Sequence, residues 1–161
     1  MEVHEDSEHR RNARSRAQQI YSQALSLLAR REYSRKELAA RLTRRGSPED
    51  LAQQVLRELA AAGWQSDERF AGAFAASKTE RGYGPLRIIA ELKERGINAE
   101  TIAASIRTGD PCWEERMLQA RVRHFGTRVP VDRKERARQA RYLVNRGFIP
   151  ERVRRALDTD D

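Results

Sequence analysis

The residues with chemical potential are few and scattered. His4 and His9 stand among acidic side chains near the start of the chain, a composition that suits a metal, but no third donor follows at helical or hairpin spacing. They read instead as part of a charged, disordered leader. Cys112 beside Trp113 opens a helix-like stretch, where a helix N-terminus lowers a thiol pKa, yet no basic histidine or nucleophile pattern accompanies it. His124 next to Phe125 reads as a surface or half-buried histidine. No paired carboxylates, triad, zinc set or Walker loop stands in the sequence, so it argues for no enzyme, no cofactor and no metal.

What remains is cationic and aromatic. The stretch Arg81-Gly82-Tyr83-Gly84-Pro85-Leu86-Arg87-Ile88 is too isolated from any strand to be a phosphate cradle. Its grammar is that of an elbow: Gly82 ends one helix, Gly84 caps the next, Pro85 takes the first position and Tyr83 sits at the tip. Arg81 and Arg87 flank that helix start, where an anion is favoured, so a phosphate contact is one reading of it. A second basic feature lies further on. At about 100° per residue, Ala137, Ala140, Leu143 and Val144 form an apolar arc, with Lys134, Arg138 and Arg141 on the adjacent face. A solvated charged surface explains the same stripe.

These residues must be positioned by helices, and the sequence repeats itself in supplying them. RKELAARLTRRGSPEDLAQQVL, LRIIAELKERGINAETIAASI and ERARQARYLVNRGFIPERVRRAL share one pattern. Each has an Arg-Gly pair (Gly46, Gly96, Gly147), a leucine four positions upstream (Leu42, Leu92, Leu143) and matched apolar positions after the break. Those positions are Leu51, Ile102 and Val153, then Val55, Ile106 and Leu157. Ser34 with Glu37 and Asp132 with Glu135 supply cap logic, and Pro48, Asn98, Pro111 and Pro150 mark further starts. A leading amphipathic stretch precedes each pair, through Ile20, Ala24, Leu27 and Leu28, then Phe70, Ala73, Phe74 and Ser77, then Leu118, Val122 and Phe125. No segment alternates with period two.

The expectation is an all-α fold, an elongated modular array of three tandem three-helix repeats. Its nine helices fall at about 16–31, 34–45, 48–62, 66–81, 85–95, 98–107, 111–125, 132–146 and 150–157. The expected organisation is a mobile N-terminal leader at 1–15, repeats at 16–65, 66–109 and 110–157, and an acidic tail at 158–161.

Composition fits this organisation. The chain has 161 residues with 39% hydrophobic and only 6% aromatic side chains, which suits a thin core. Its 32 Lys and Arg against 24 Asp and Glu give a net charge of +8, and all but Lys36, Lys78, Lys93 and Lys134 of the basic residues are arginine. Arginine's planar fork binds phosphate and carboxylate, and a GC-rich coding sequence also raises its share. The charge is uneven: residues 17–65 carry eight basic and five acidic side chains, 66–110 seven of each, and 111–161 thirteen and eight. A mean hydropathy of −0.85 and the lack of a long apolar run exclude a membrane span. The N-terminus lacks the apolar stretch of a secretory signal, and a lone cysteine suits a reducing cytoplasm.

At Gly82-Tyr83-Gly84-Pro85, Arg87-Ile88, Glu91-Leu92 and Arg95-Gly96-Ile97, preceded by Asp67, Arg69-Phe70 and Ala71, the chain resembles the RecX family of bacterial recombinase regulators. The resemblance takes in Ala24-Leu25, Leu27-Leu28, Ser34 and Glu37-Leu38, and closes at Lys134, Ala137-Arg138 and Arg146-Gly147-Phe148, so it spans about residues 17 to 157. The chain departs from the family at Lys78-Thr79-Glu80, where a more basic run is common, and at Trp64-Gln65, where an aliphatic pair is usual.

The resemblance implies three tandem three-helix units in a monomeric, cytoplasmic protein that binds the RecA filament, lodges in its groove and inhibits ATPase and strand exchange without catalysis of its own. It implies a place in DNA recombination, repair and the SOS response, with single- and double-stranded DNA met through basic surfaces. The contact residues expected are Arg41 and Arg44, Arg81, Tyr83 and Arg87, and Lys134, Arg138 and Arg141. A stand-alone helix-turn-helix DNA-binding protein, built on SRKELAARLTRRGSPEDLAQQVL, is the alternative.

Overall fold

The computed structural model describes residues 2–158, with side chains from 7 to 158. Among the described residues there are nine helices and no strands: α1 (Glu2–Leu28), α2 (Arg35–Arg44), α3 (Glu49–Ala61), α4 (Asp67–Glu80), α5 (Pro85–Glu94), α6 (Ala99–Ser105), α7 (Cys112–Phe125), α8 (Arg133–Arg146) and α9 (Pro150–Leu157). From α2 onward each helix starts within a residue of its expected position. The capping residues explain why. Ser34 and Glu37 form the reciprocal box, the Glu37 N–H donating to Ser34 Oγ at 3.1 Å. Asn98 accepts from the Thr101 N–H at 2.8 Å and Asp132 from that of Glu135 at 2.7 Å.

Three boundaries differ by two residues or more, the first being the end of α1 at Leu28 rather than near residue 31. The segment expected as a mobile leader is helix, α1 starting at Glu2 rather than near residue 16. Residues 9–19 hold Arg, Ala and Gln with no Gly or Pro, so nothing stops helix propagating outward from the packed end. Helix α6 stops at Ser105 because Ile106 turns to extended backbone (φ −138°, ψ 122°) and buries its side chain. Of the expected acidic tail, all but Asp158 lies outside the described residues, as does Met1.

The chain divides into two compact units, 1–70 and 71–161, the division falling inside α4. In the first, Ile20, Ala24 and Leu27 of α1 meet Leu38 and Leu42 of α2 and Val55, Leu56 and Leu59 of α3 in a single cluster. Each fully buried leucine there stabilises by about 1.5–3 kcal/mol. Polar bonds fasten its edge: the Arg35 N–H donates to Asp67 Oδ1 at 2.9 Å, and buried Gln65 donates through Nε2 to the Tyr33 carbonyl at 3.3 Å and to Asp67 at 3.1 Å. The Trp64-Gln65 pair thus splits its duties, with Gln65 an internal clip and Trp64 58% exposed.

In the second unit the repeated positions are buried alike. Leu92 and Leu143 match Leu42, Ile102 pairs with Val153, and Ile106 with Leu157. Two helices are nevertheless rotated from their expected faces. Helix α7 buries Trp113, Met117, Ala120 and Arg121, leaving Leu118 45% and Val122 37% exposed. Helix α8 buries Gln139 and Leu143, while Ala137 and Val144 face solvent. The reason is a polar bond across the two helices: Arg121 donates to Gln139 Oε1 at 3.3 Å and to the Arg128 carbonyl at 3.1 Å. In α4, Ala71 and Ala75 join Phe70 as buried residues, and Ala73 and Ser77 are exposed.

Candidate functional site

The elbow between α4 and α5 is built as its glycines require. Gly82, at φ 80°, ends α4, and the Tyr83 N–H returns to the Lys78 carbonyl at 3.1 Å. Gly84 caps α5 and Pro85 opens it. The start of α5 is occupied by the end of α8: the Gly84 N–H donates to the Arg146 carbonyl at 2.8 Å and the Leu86 N–H to that of Gly147 at 3.0 Å. Those carbonyls satisfy the donors a phosphate would need, so backbone anion binding at this helix start is corrected to a helix-to-helix joint.

Around the joint, cations and rings alternate. Half-buried Tyr83 has the guanidinium of Arg146 at 4.4 Å from its ring centre, Arg87 at 4.8 Å, Arg81 at 5.7 Å and the Lys78 ammonium at 4.7 Å. Arg146 also lies 5.5 Å from the Tyr142 ring, on which His124 stacks at 4.0 Å with planes 12° apart. Phe125 meets Tyr142 edge-on at 5.1 Å and carries Arg138 at 5.1 Å. On the other side, Arg95 stands 4.5 Å from Phe74 and Lys78 5.4 Å. Helices α4, α5, α7 and α8 therefore share one ladder of basic and aromatic side chains.

One carboxylate anchors the ladder. Glu91 receives Lys78 at 2.7 Å, Arg87 at 3.1 Å and Arg95 at 3.8 Å, with its side chain 16% exposed. Burial pushes its pKa up, but the hydrogen bonds from Lys78 and Arg87 and the nearby charges of Lys78 and Arg95 outweigh this and hold it below the ordinary glutamate value. Cys112 goes the other way. Desolvation of its sulfur, despite the residue's exposure, and then the Asp110 carboxylate push the thiol up, so the lowered pKa weighed for a helix start is not found. Among the described residues, no group of three or more His, Cys, Asp and Glu is placed to hold a metal ion.

The expected contact residues fall into three sets. Arg81, Tyr83 and Arg87 come together at the joint, though Arg87 is partly committed, donating to Glu91 and to the Asn145 carbonyl at 3.3 Å. Lys134, Arg138 and Arg141 lie exposed along α8, and Arg138 is drawn to Glu135 at 3.0 Å. Glu135 is held below its ordinary pKa by the hydrogen bond from Arg138 and then that from Gln139. Arg41 and Arg44 are exposed in the last turn of α2, in the first unit, with Arg41 5.9 Å from the Tyr33 ring. Arg146 and Tyr142 were not among the expected contacts. The signal for Arg146 was the Arg-Gly pair, since the arginine of that pair lies over a ring at both Arg95 and Arg146.

Stacked rings among guanidinium groups suit a surface that meets phosphates with charge and flat groups with π-faces. The class so defined is an all-α protein of small helical units with a basic, aromatic-backed surface. Known proteins agree with it. The family description "RecX, first three-helix domain" matches residues 21–59 and "RecX, second three-helix domain" matches 66–106.

The regulatory protein RecX of Stenotrophomonas maltophilia (strain R551-3) is 40% identical over 153 residues, 94% of each chain. That of Halorhodospira halophila is 43% identical over 141 residues, 86% of this chain and 88% of that one. In fold, the chain is similar to the crystal structure of RecX from Lactobacillus salivarius, with a TM-score of 0.74 at 18% identity, covering 91% of this chain and 99% of that one. A second crystal structure, of a regulatory protein RecX, gives a TM-score of 0.80 at 17% identity over 97% of this chain and 78% of that one. The chain belongs to the RecX family of regulatory proteins.

Proposed function

We propose that this protein is a non-catalytic regulator of the RecA recombinase, binding the RecA–DNA filament and inhibiting its ATPase and strand exchange. The observation that carries the reading is the cation-aromatic ladder from Arg95 to Arg138 in a chain belonging to the RecX family. Small helical units joined in one chain contact neighbouring recombinase subunits and the filament's DNA, and several weak contacts bind as one through effective concentration. A ligand that bridges adjacent subunits hinders the movements that accompany nucleotide turnover, so inhibition needs no chemistry of its own.

The protein acts as a cytoplasmic monomer in this reading, with a role in recombination, repair and the SOS response. Among the described residues no helix is long and apolar enough to cross a membrane. The helix-turn-helix alternative draws less support. Helix α3, in the place of the reading helix, carries Glu49 and Asp50 in its first turn, where a DNA groove meets such a helix.

The test is the RecA ATPase on single-stranded DNA, titrated with this protein. The reading expects saturable inhibition at ratios below one regulator per recombinase. Full turnover at all ratios, with tight sequence-specific binding to bare duplex, would replace it with the alternative.

A further inference from the structure

Because α8 turns Gln139 inward to meet Arg121, most of its apolar arc stays outside the core. Leu143 alone of that arc is fully buried, while Ala137 and Val144, the latter 39% exposed, face solvent. With Ala140 they form one wall of a groove of about 580 Å³. The other wall is α9, through Pro150, Val153 and Leu157 at i, i+3 and i+7. Ala137 and Ala140 are too short to fill the space between the two helices.

The rims of the groove are cationic. Arg133 and Arg136 stand on the α8 side and Arg154 on the α9 side, and none of the three has an ion pair or a side-chain hydrogen bond among the described residues. Asp158, at the end of α9, is the one acid among the lining residues. On the wheel of α8 this face lies between the core side, marked by Gln139 and Leu143, and the stripe of Lys134, Arg138 and Arg141. No ring of the ladder lines it.

We propose that this groove is a docking site for an acidic amphipathic helix of a partner protein, its apolar side chains seated over Ala137, Ala140 and Val144 and its carboxylates paired with Arg133, Arg136 and Arg154. Charge complementarity selects the occupant, since guanidinium forks take carboxylates in bidentate pairs. The floor selects it too: two helices side by side present ridges into which a third helix packs, with apolar anchors at i, i+3, i+4 and i+7. Nucleic acid meets only half of these terms. Its phosphates suit the rims, but its bases stack on rings, which the groove lacks, and its polar backbone leaves the apolar floor uncovered.

The proposal does not rest on the recombinase reading, and a synthetic peptide tests it. The probe is a labelled helical peptide of about four turns, leucines along one face and glutamates elsewhere, long enough to span the roughly 17 Å from Arg133 to Val144 along α8. Its binding to the full chain is followed by fluorescence anisotropy, beside versions with glutamine or lysine in place of glutamate. The native chain is expected to bind the glutamate peptide saturably and the glutamine version on the order of tenfold more weakly, the loss of a few rim ion pairs.

Two variants separate charge from floor, with circular dichroism to verify their helicity. Arg133→Glu with Arg154→Glu should reverse the preference, losing the glutamate peptide and gaining the lysine one. Ala137→Gln keeps every charge, fills an exposed part of the floor and should weaken the glutamate and glutamine peptides alike. Equal affinity of the native chain for these two peptides, or no binding of either, would overturn the proposal. An oligonucleotide whose binding falls with Ala137→Gln as the peptide's does would overturn it in favour of a nucleic-acid surface. Self-association of the native chain in sedimentation, abolished by Ala137→Gln, would assign the groove to a second copy instead.

Discussion

Gly84 and Gly147 meet backbone to backbone. The cap of α5 sits against the left-handed residue that ends α8, and a Cβ on Gly84 would overlap the Gly147 carbonyl, while one on Gly147 would overlap the backbone of Arg87. Neither neighbour is a side chain that can swing away. The Gly84 N–H bond to the Arg146 carbonyl at 2.8 Å holds the two together, and the ladder around Tyr83 is assembled on this contact.

Alanine at either position is therefore expected to destabilise the second unit by about 2–4 kcal/mol, the range of strain and overpacking. Gly46 is the control. It has a similar positive φ of 88° but open space around its missing Cβ, so Gly46→Ala should cost only about 1 kcal/mol of backbone strain. Urea denaturation of the three variants checks the order, and equal losses at Gly46 and Gly84 would dissolve the joint as a stabilising element.

Glu91→Gln removes the charge that organises Lys78, Arg87 and Arg95, and is expected to cost about 1.5–3 kcal/mol, the range for hydrogen bonds to charged groups. Its pKa is lower folded than unfolded, so the carboxylate's contribution is fully present above the ordinary value of 4.5 and is lost as pH falls through the lowered folded value. The stability difference between wild type and Glu91→Gln should therefore stay level from neutral pH down to about pH 4.5 and shrink below it. Parallel denaturation curves at several pH values measure this directly.

The helices and their caps were legible because caps, breaks and apolar spacing act locally. Ser34, Asn98 and Asp132 bond to N–H groups three residues away, so the sequence contains both partners within one turn. Which side of α7 and α8 faces inward was not legible. Hydrophobicity points to Leu118, Val122 and Val144, whereas the core takes Arg121 and Gln139, whose pairing spans 18 positions in sequence and is invisible to any single-helix wheel. The ladder was half legible for the same reason: Arg81, Tyr83 and Arg87 are neighbours in sequence, but Arg146 reaches them only through the glycine joint.

The α8 stripe of Lys134, Arg138 and Arg141 lies on the solvent side, with Glu135 offsetting one of its charges. If the proposed function holds, replacing all three with alanine should leave helicity intact and weaken binding to the RecA–DNA filament by on the order of tenfold at moderate salt, with a shallower salt dependence. Filament co-sedimentation across a salt series is the measurement. Unchanged affinity would make the stripe solvated surface and leave the ladder alone as the contact.

One polar pair, Arg121 with Gln139, lies in an otherwise apolar position. Eight residues before the repeated glycine stand Leu38, Ile88 and Gln139, all buried, at 0%, 0% and 3% exposure. Gln139 is there for Arg121, itself buried, which has the amide and the Arg128 carbonyl as acceptors. Restoring the apolar residue alone, as Gln139→Leu, strips the guanidinium of one acceptor and should destabilise by about 1–3 kcal/mol, even though leucine suits the same place in the first segment. Replacing both, as Arg121→Met with Gln139→Leu, removes the buried charge along with its partner and should recover most or all of that loss. A double-mutant cycle in urea separates the pair's coupling from the individual substitutions. If Gln139→Leu proves neutral by itself, the guanidinium is satisfied elsewhere, and the rotation of α7 and α8 needs a cause other than this bond.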